Sequence, residues 1–209
     1  MERLGDVGRG GGGLTPGPVL ERIAAALRVR GAVLAQRDPP FREAAVALVL
    51  QPVGDDAALL LLRRAEHSGD PWSGQIGLPG GRVEPSDATL FETAVRETRE
   101  ETALDLAPAR LLGQLDELRP RISSLPPIIV RPFVVAVTRV PTLVPSAEVA
   151  ELFWAPLSAL FDPASARQAV VEVRGVPRTV EAIDYEGRII WGMTERILRT
   201  LSGVLGGAP

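Results

Sequence analysis

The sequence predicts an α/β protein in which a mixed β-sheet lies between helices. Three observations carry that prediction. Strand-length apolar runs alternate with segments of helical periodicity along the chain. Polar turn residues separate neighbouring runs at Gly54-Asp55-Asp56 and Glu186-Gly187, which marks hairpins. Residues Ile128 to Val137 form a near-continuous apolar run, as in a strand buried on both faces.

The elements follow in order. Residues 5 to 17 are glycine-rich, so residues 1 to 17 are expected to be a flexible arm, with one domain over 18 to 205. Val19 to Val29 places Leu20, Ile23, Ala24 and Leu27 at helical spacing. Arg37 to Phe41 holds Pro39-Pro40 and reads as a connector. Ala44 to Leu50 and Ala57 to Leu62 read as paired strands. Residues 65 to 81, with five glycines and two prolines around Trp72, read as a loop with a short strand at Gln75 to Leu78. A helix runs from about Ala88 to Ala103, with Asp87 as its expected cap. Leu111 to Leu118 and Ile128 to Val137 read as strands, and Pro156 to Phe161 as a short helix. Ala169 to Val173, Thr179 to Tyr185 and Ile189 to Trp191 read as short strands. Thr194 to Leu205 reads as an amphipathic helix ended by Gly206-Gly207.

Composition narrows the chemistry. With 209 residues and no cysteine, disulfides, zinc thiolates and a cysteine nucleophile are excluded. One histidine, His67, leaves a multi-histidine metal site unexpected, and it reads as an ordinary loop residue. A net charge of −3 offers no electrostatic footprint for nucleic acid. No apolar run reaches the roughly 18 residues needed to span a bilayer, and the first residues lack a secretory h-region. The expectation is a cytoplasmic protein without membrane or nucleic-acid partners.

The most informative stretch is Gly80 to Leu104. A Gly-Gly turn leads into the helix, and Glu97, Glu100 and Glu101 stand at i, i+3 and i+4, on one face. Like charges at that spacing weaken a helix, so a counter-charge is expected. Phe91, Val95, Thr98 and Thr102 form a separate stripe that can pack on a sheet. Carboxylates are hard oxygen donors and select Mg²⁺ or Mn²⁺. Such ions neutralise phosphate charge and acidify water. Gly80-Gly81 permits a tight backbone and can offer a carbonyl, and Arg96 can hold a carboxylate.

These residues resemble the Nudix hydrolases, whose box is Gly-x5-Glu-x7-Arg-Glu-U-x-Glu-Glu-x-Gly-U, with U apolar. Here Gly81-x5-Asp87 is followed by eight residues and then Arg96-Glu97-Thr98-Arg99-Glu100-Glu101-Thr102-Ala103-Leu104. Thr98 stands at an apolar position, and Ala103 replaces the glycine. The resemblance implies an α/β/α sandwich with a mixed β-sheet. It implies Glu97, Glu100, Glu101 and the Gly80 carbonyl as metal ligands, with Arg96 orienting the carboxylates. Asp87 with its longer gap resembles the coenzyme A diphosphatase branch, as do Gly74 to Gly81, Val130-Arg131-Pro132-Phe133, Glu148 to Leu157 and Ile190 to Thr194. That branch's upstream motif corresponds only loosely to Leu60-Leu61-Leu62-Arg63-Arg64-Ala65 and lacks its second arginine.

The implied activity is cleavage of a diphosphate linkage, with Glu100, Glu101 or an acid outside the box taking the proton. Glu148 and Glu151 are the outside acids, each otherwise a solvated loop residue. Arg63, Arg64, Gly81, Trp72 and Glu148 are the expected substrate contacts; Trp154 and Trp191 are expected in the core. The expected partner is a nucleotide-containing diphosphate such as coenzyme A. ADP-ribose, nucleotide sugars or oxidised nucleoside triphosphates are the alternatives, and a non-catalytic Nudix-like module is another. Family members often dimerise, so a second copy is an expected partner too.

Overall fold

Pro18 opens the first helix, α1 (Pro18–Arg30), where a missing N–H costs nothing. The computed structural model describes residues 17–37, 39–67, 72–120, 127–138, 142–173 and 175–206. The expected arm therefore lies outside the described residues except for Gly17. α1 buries Val19, Leu20, Ile23, Ala24 and Leu27 on one stripe.

β1 (Arg42–Val53) and β2 (Asp56–Arg64) form the expected hairpin, with Gly54 turning at φ 59°. β6 (Ile128–Ala136) runs parallel to β1, from Arg42 opposite Ile128 to Leu50 opposite Ala136. Its burial on both faces matches its unbroken apolar sequence. β5 (Arg110–Gln114) pairs with β6 but stops short of the expected Leu118. The register shifts between Leu111 and Gly113, and Glu117 N–H turns away to donate to Val33 O. Leu118 keeps only an isolated bridge to Val130.

One expected short strand is found, and two strands have no signal in the sequence. β3 is only Ile76–Gly77, and β4 (Gly80–Arg82) makes a strand of the Gly-Gly turn. β7 (Val149–Pro156) carries Glu151, expected as a loop acid, within a strand that pairs antiparallel with β2. Together β1 to β7 make one mixed seven-stranded sheet. A separate three-stranded sheet holds β8 (Ala166–Val173), β9 (Val176–Tyr185) and β10 (Arg188–Trp191).

Alternation along β1 and β2 sends side chains to two cores. Leu48, Leu50, Leu59 and Leu61 pack with α1, with the short α3 (Leu157–Leu160) and with α4 (Gly192–Val204). Ala47, Val49 and Leu60 face α2 (Leu90–Thr102) on the other side. The layers are thus helix, sheet and helices, the expected α/β/α sandwich. Phe91 of α2 meets Phe133 of β6 edge-on, with ring centroids 5.2 Å apart. No helix among the described residues is long and apolar enough to cross a membrane.

Candidate active site

The site is built where β1 and β2 part. They pair from Leu50 opposite Leu59 to Val53 opposite Asp56. Beyond that point β3 continues on β2, while β4 lies on Ala44 to Val46 of β1. Ala47 N–H donates to Pro79 O at 2.8 Å and closes the gap. This wedge presses Gly80 and Gly81 against α2. Gly80 has φ 153°, and a Cβ there would lie 2.6 Å from Val46 Cα. A Cβ on Gly81 would lie 2.6 Å from Glu97 Oε2. Backbone approach requires glycine at Gly80, whereas at Gly81 the flexible end of Glu97 fills the space. Gly80 N–H donates to Glu101 Oε2 at 2.9 Å.

Asp87 does not cap α2. Thr89 does: its Oγ1 accepts from Glu92 N–H at 3.2 Å, while Glu92 Oε2 accepts from Ala88 N–H at 2.7 Å. Asp87 instead accepts from Arg96 Nε and Nη2, each at 3.0 Å, from Thr93 Oγ1 at 2.9 Å and from Glu84 N–H at 2.9 Å. The Arg96 guanidinium holds the Asp87 carboxyl well below the usual carboxylate range. Arg96 Nη1 then reaches Glu97 Oε1 and Glu100 Oε2, both at 3.1 Å, and Nη2 donates to Arg82 O at 3.0 Å. Arg96 therefore organises the carboxylates, and Asp87 organises Arg96.

The far end of α2 brings in Glu148. The carbonyls of Thr102 and Glu101 accept from Val144 N–H at 3.0 Å and Ser146 N–H at 3.1 Å. Glu148 O accepts from Ala65 N–H at 2.8 Å. The segment before β7 is thereby tied to both α2 and β2. Nothing in the local sequence signals these anchors, because backbone groups make them.

The three helix glutamates are not equivalent. Glu100 is exposed, Glu97 half-buried, and Glu101 only 5% exposed. Burial pushes the Glu101 carboxyl up to about 7, against the pull of Gly80 N–H, and the Glu97, Glu148 and Arg64 charges also act on it. Burial likewise raises Glu97, against the pull of Arg96. Among the described residues, no group of three acidic or histidine side chains already converges into a metal cage. Glu101 is drawn onto Gly80, and Glu97 and Glu100 onto Arg96. The donor set nevertheless fits a hard divalent cation: every candidate is an oxygen, and such a cation would relieve the crowding of Glu97, Glu101 and Glu148.

Arg63 and Arg64 go to opposite faces of β2, as adjacent strand residues do. Arg64 Nη1 lies 4.0 Å from Glu101 Oε1, at the candidate site. Arg63 Nε pairs instead with Glu151 Oε2 at 3.3 Å. A register shift against β7 falls between the two arginines. Glu151, in β7 and not in a loop, is taken up by Arg63 and Arg188. Trp72 sits half-buried in the turn before β3, its carbonyl accepting from Gln75 N–H. His67, exposed, donates its N–H to Ser73 Oγ. Trp154 packs against the core on the α2 side, while Trp191 lines a cavity.

A mixed sheet splayed around a Gly-Gly strand, with an acidic helix laid against it, is an arrangement that suits a metal-dependent hydrolase. Comparison with known proteins agrees. Residues 40–173 match the family model of the NUDIX domain. An uncharacterized Nudix hydrolase of Yersinia pestis, NudL, is 34% identical over 159 residues, covering 75% of this chain and 77% of its own. A Caenorhabditis elegans Ap4A hydrolase structure (TM-score 0.53, 19% identity) covers 80% of this chain and 99% of its own. A Nudix hydrolase structure from Alicyclobacillus acidocaldarius (TM-score 0.54, 19% identity) covers 81% and 93%. The two structures share the fold. The chain belongs to the Nudix hydrolase family, whose members hydrolyse diphosphate linkages and generally use divalent metal ions.

Proposed function

We propose that the chain is a Mg²⁺- or Mn²⁺-dependent diphosphohydrolase that cuts coenzyme A or a derivative into 3′,5′-ADP and a phosphopantetheine. The observation that carries the site is the contact of Gly80 N–H with buried Glu101, with Glu97 beneath Gly81. Glu97, Glu100, Glu101 and the Gly80 carbonyl are the proposed metal ligands. A bound cation supplies charge neutralisation at the diphosphate and acidifies water. Arg96 keeps Glu97 and Glu100 in position between their neighbours. Arg64, beside Glu101, is placed to meet a phosphate oxygen. The proton of the attacking water passes to a carboxylate, for which Glu100, Glu101 and Glu148 are the candidates. Binding of the substrate against β4 and α2 positions the reacting phosphorus, and positioning with charge stabilisation is most of what phosphoryl chemistry needs.

The coenzyme A assignment is supported by the Asp87 spacing and by the flanking segments. The absent second arginine upstream of the box favours a second reading, a broader hydrolase of ADP-ribose, nucleotide sugars or oxidised nucleoside triphosphates. Product detection with purified protein, Mg²⁺ or Mn²⁺, and a panel of coenzyme A, ADP-ribose, nucleotide sugars and nucleoside triphosphates separates the two. Coenzyme A is expected to be cleaved preferentially, with loss of cleavage in Glu100→Gln and Glu101→Gln and on chelation. Full activity in both variants would remove the site assignment. Preference for another panel member would remove the substrate assignment alone.

A further inference from the structure

A cavity of about 1000 Å³ opens on the face of the main sheet opposite α2. Its walls come from β2, β3 and β7 on one side and from the three-stranded sheet on the other. The turn between β9 and β10 and the β10 residues that complete it lie beyond residues 40–173, the segment that matches the family model. The cavity wall is therefore partly a feature of this chain outside the family segment.

Its chemistry is mixed. A row of alternating charge crosses the floor. Arg188 reaches Glu151 Oε1 at 2.6 Å and Glu186 Oε2 at 3.2 Å, and Arg63 holds the other oxygen of Glu151 at 3.3 Å. The Arg188 guanidinium lies 4.6 Å from the centre of the Phe153 ring, and that ring stacks on Tyr185. The arginine is fixed by these contacts. Glu66 and Glu172 add two further acids, while Val171 and Trp191 add apolar surface. Four glutamates against two arginines leave a formal charge of −2 on the lining. A phosphate is repelled by such a wall. A neutral group that both donates and accepts hydrogen bonds, on an aliphatic stem, suits it.

The cavity is one residue away from the candidate active site along the strand. Arg63 faces the cavity and Arg64 faces Glu101. Side chains at these two positions point to opposite faces, so a substrate that reaches both passes around the end of β2, where Glu66, two residues beyond Arg64, lines the cavity. We infer that this cavity receives the uncharged, amide- or hydroxyl-bearing arm of the substrate, while its diphosphate lies at Arg64 and α2. The inference rests on the diphosphohydrolase reading of that site and adds where the remainder of the substrate goes.

The test is equilibrium binding to the full chain, without turnover, of pantetheine as the neutral arm and 3′,5′-ADP as the anionic fragment. Saturable pantetheine binding is expected, weakened about tenfold (about 1.4 kcal/mol) by Val171→Trp, which fills the cavity from β8. It is expected to persist in Glu100→Gln, which changes the box alone. The double variant Glu66→Lys, Glu172→Lys alters two exposed positions and turns the lining charge from −2 to +2. It is expected to shift preference toward 3′,5′-ADP. No saturable pantetheine binding, or pantetheine binding untouched by both the filling and the charge-reversal variants, overturns the inference. Turnover of coenzyme A in the same preparation reports separately on the catalytic reading, so the two can fail independently.

Discussion

Gly81 and Glu97 share one volume: the space a side chain at Gly81 would fill is held by the Glu97 carboxylate, with Oε2 2.6 Å from the Cβ position. Gly81 has an ordinary backbone conformation, so the requirement is steric. Gly81→Ala is expected to displace the flexible end of Glu97 while leaving stability within about 1 kcal/mol. Displacing this proposed ligand carboxylate by about 1 Å is expected to lower kcat about 100-fold. Steady-state kinetics beside thermal unfolding check this; wild-type kcat in a folded variant would refute it.

Gly80→Ala has the opposite signature. Its φ of 153° and its approach to Val46 Cα oppose a Cβ by backbone, which cannot yield cheaply. A loss of about 3 kcal/mol is expected, visible in the urea midpoint. A variant as stable as wild type would mean that β4 can lift from β1.

Among the described residues, Asp87 hydrogen-bonds to α2 through Arg96 and Thr93, so it is a positioning residue. Asp87→Asn is expected to cost about 2 kcal/mol. Freed from Asp87, Arg96 is expected to compete with the proposed cation for Glu97 and Glu100. The Mg²⁺ concentration for half-maximal activity should rise about tenfold, with the substrate KM little changed. An unchanged metal requirement would show that Arg82 O, Glu97 and Glu100 hold Arg96 in place without Asp87.

Ala103 ends α2 in the left-handed region, at φ 58°, where the family pattern has glycine. Ala103→Gly removes that strain and keeps the N–H bond to Arg99 O. A gain of about 1 kcal/mol is expected, read as a higher Tm at unaltered kcat.

Glu117, buried between Arg37 and Arg131, contributes to the pH dependence of folding. Burial raises its carboxyl, but hydrogen bonds from Arg37, Arg131 and Ala35 N–H overrule that and hold it at about 2, against 4.5 unperturbed. A depressed folded pKa stabilises the protein above the unfolded pKa. That contribution is lost as pH falls from about 4.5 through about 2. Glu117→Gln should cost about 3 kcal/mol at neutral pH, and the gap to wild type should narrow by about pH 3. A gap constant with pH would place the cost in packing alone.

The sequence by itself determined the layers and the box. Strand and helix periods are local, so α1, β1, β2, β6, α2 and α4 were legible, and so was the glutamate face. Tertiary structure decided what depends on partners distant along the chain. β4 is a strand only because β1 parts from β2 and leaves edges to fill. β7 tolerates Glu151 only because Arg63 and Arg188 neutralise it. The same packing sends Arg63 away from the site and leaves Arg64 there. It buries Glu101 while Glu100 stays exposed, though both sit on one helical stripe. It also turns Asp87 from a helix cap into a support for Arg96. Each outcome is set by which neighbour compensates a charge or a free backbone group, and a linear pattern carries no record of neighbours that meet only in the folded chain.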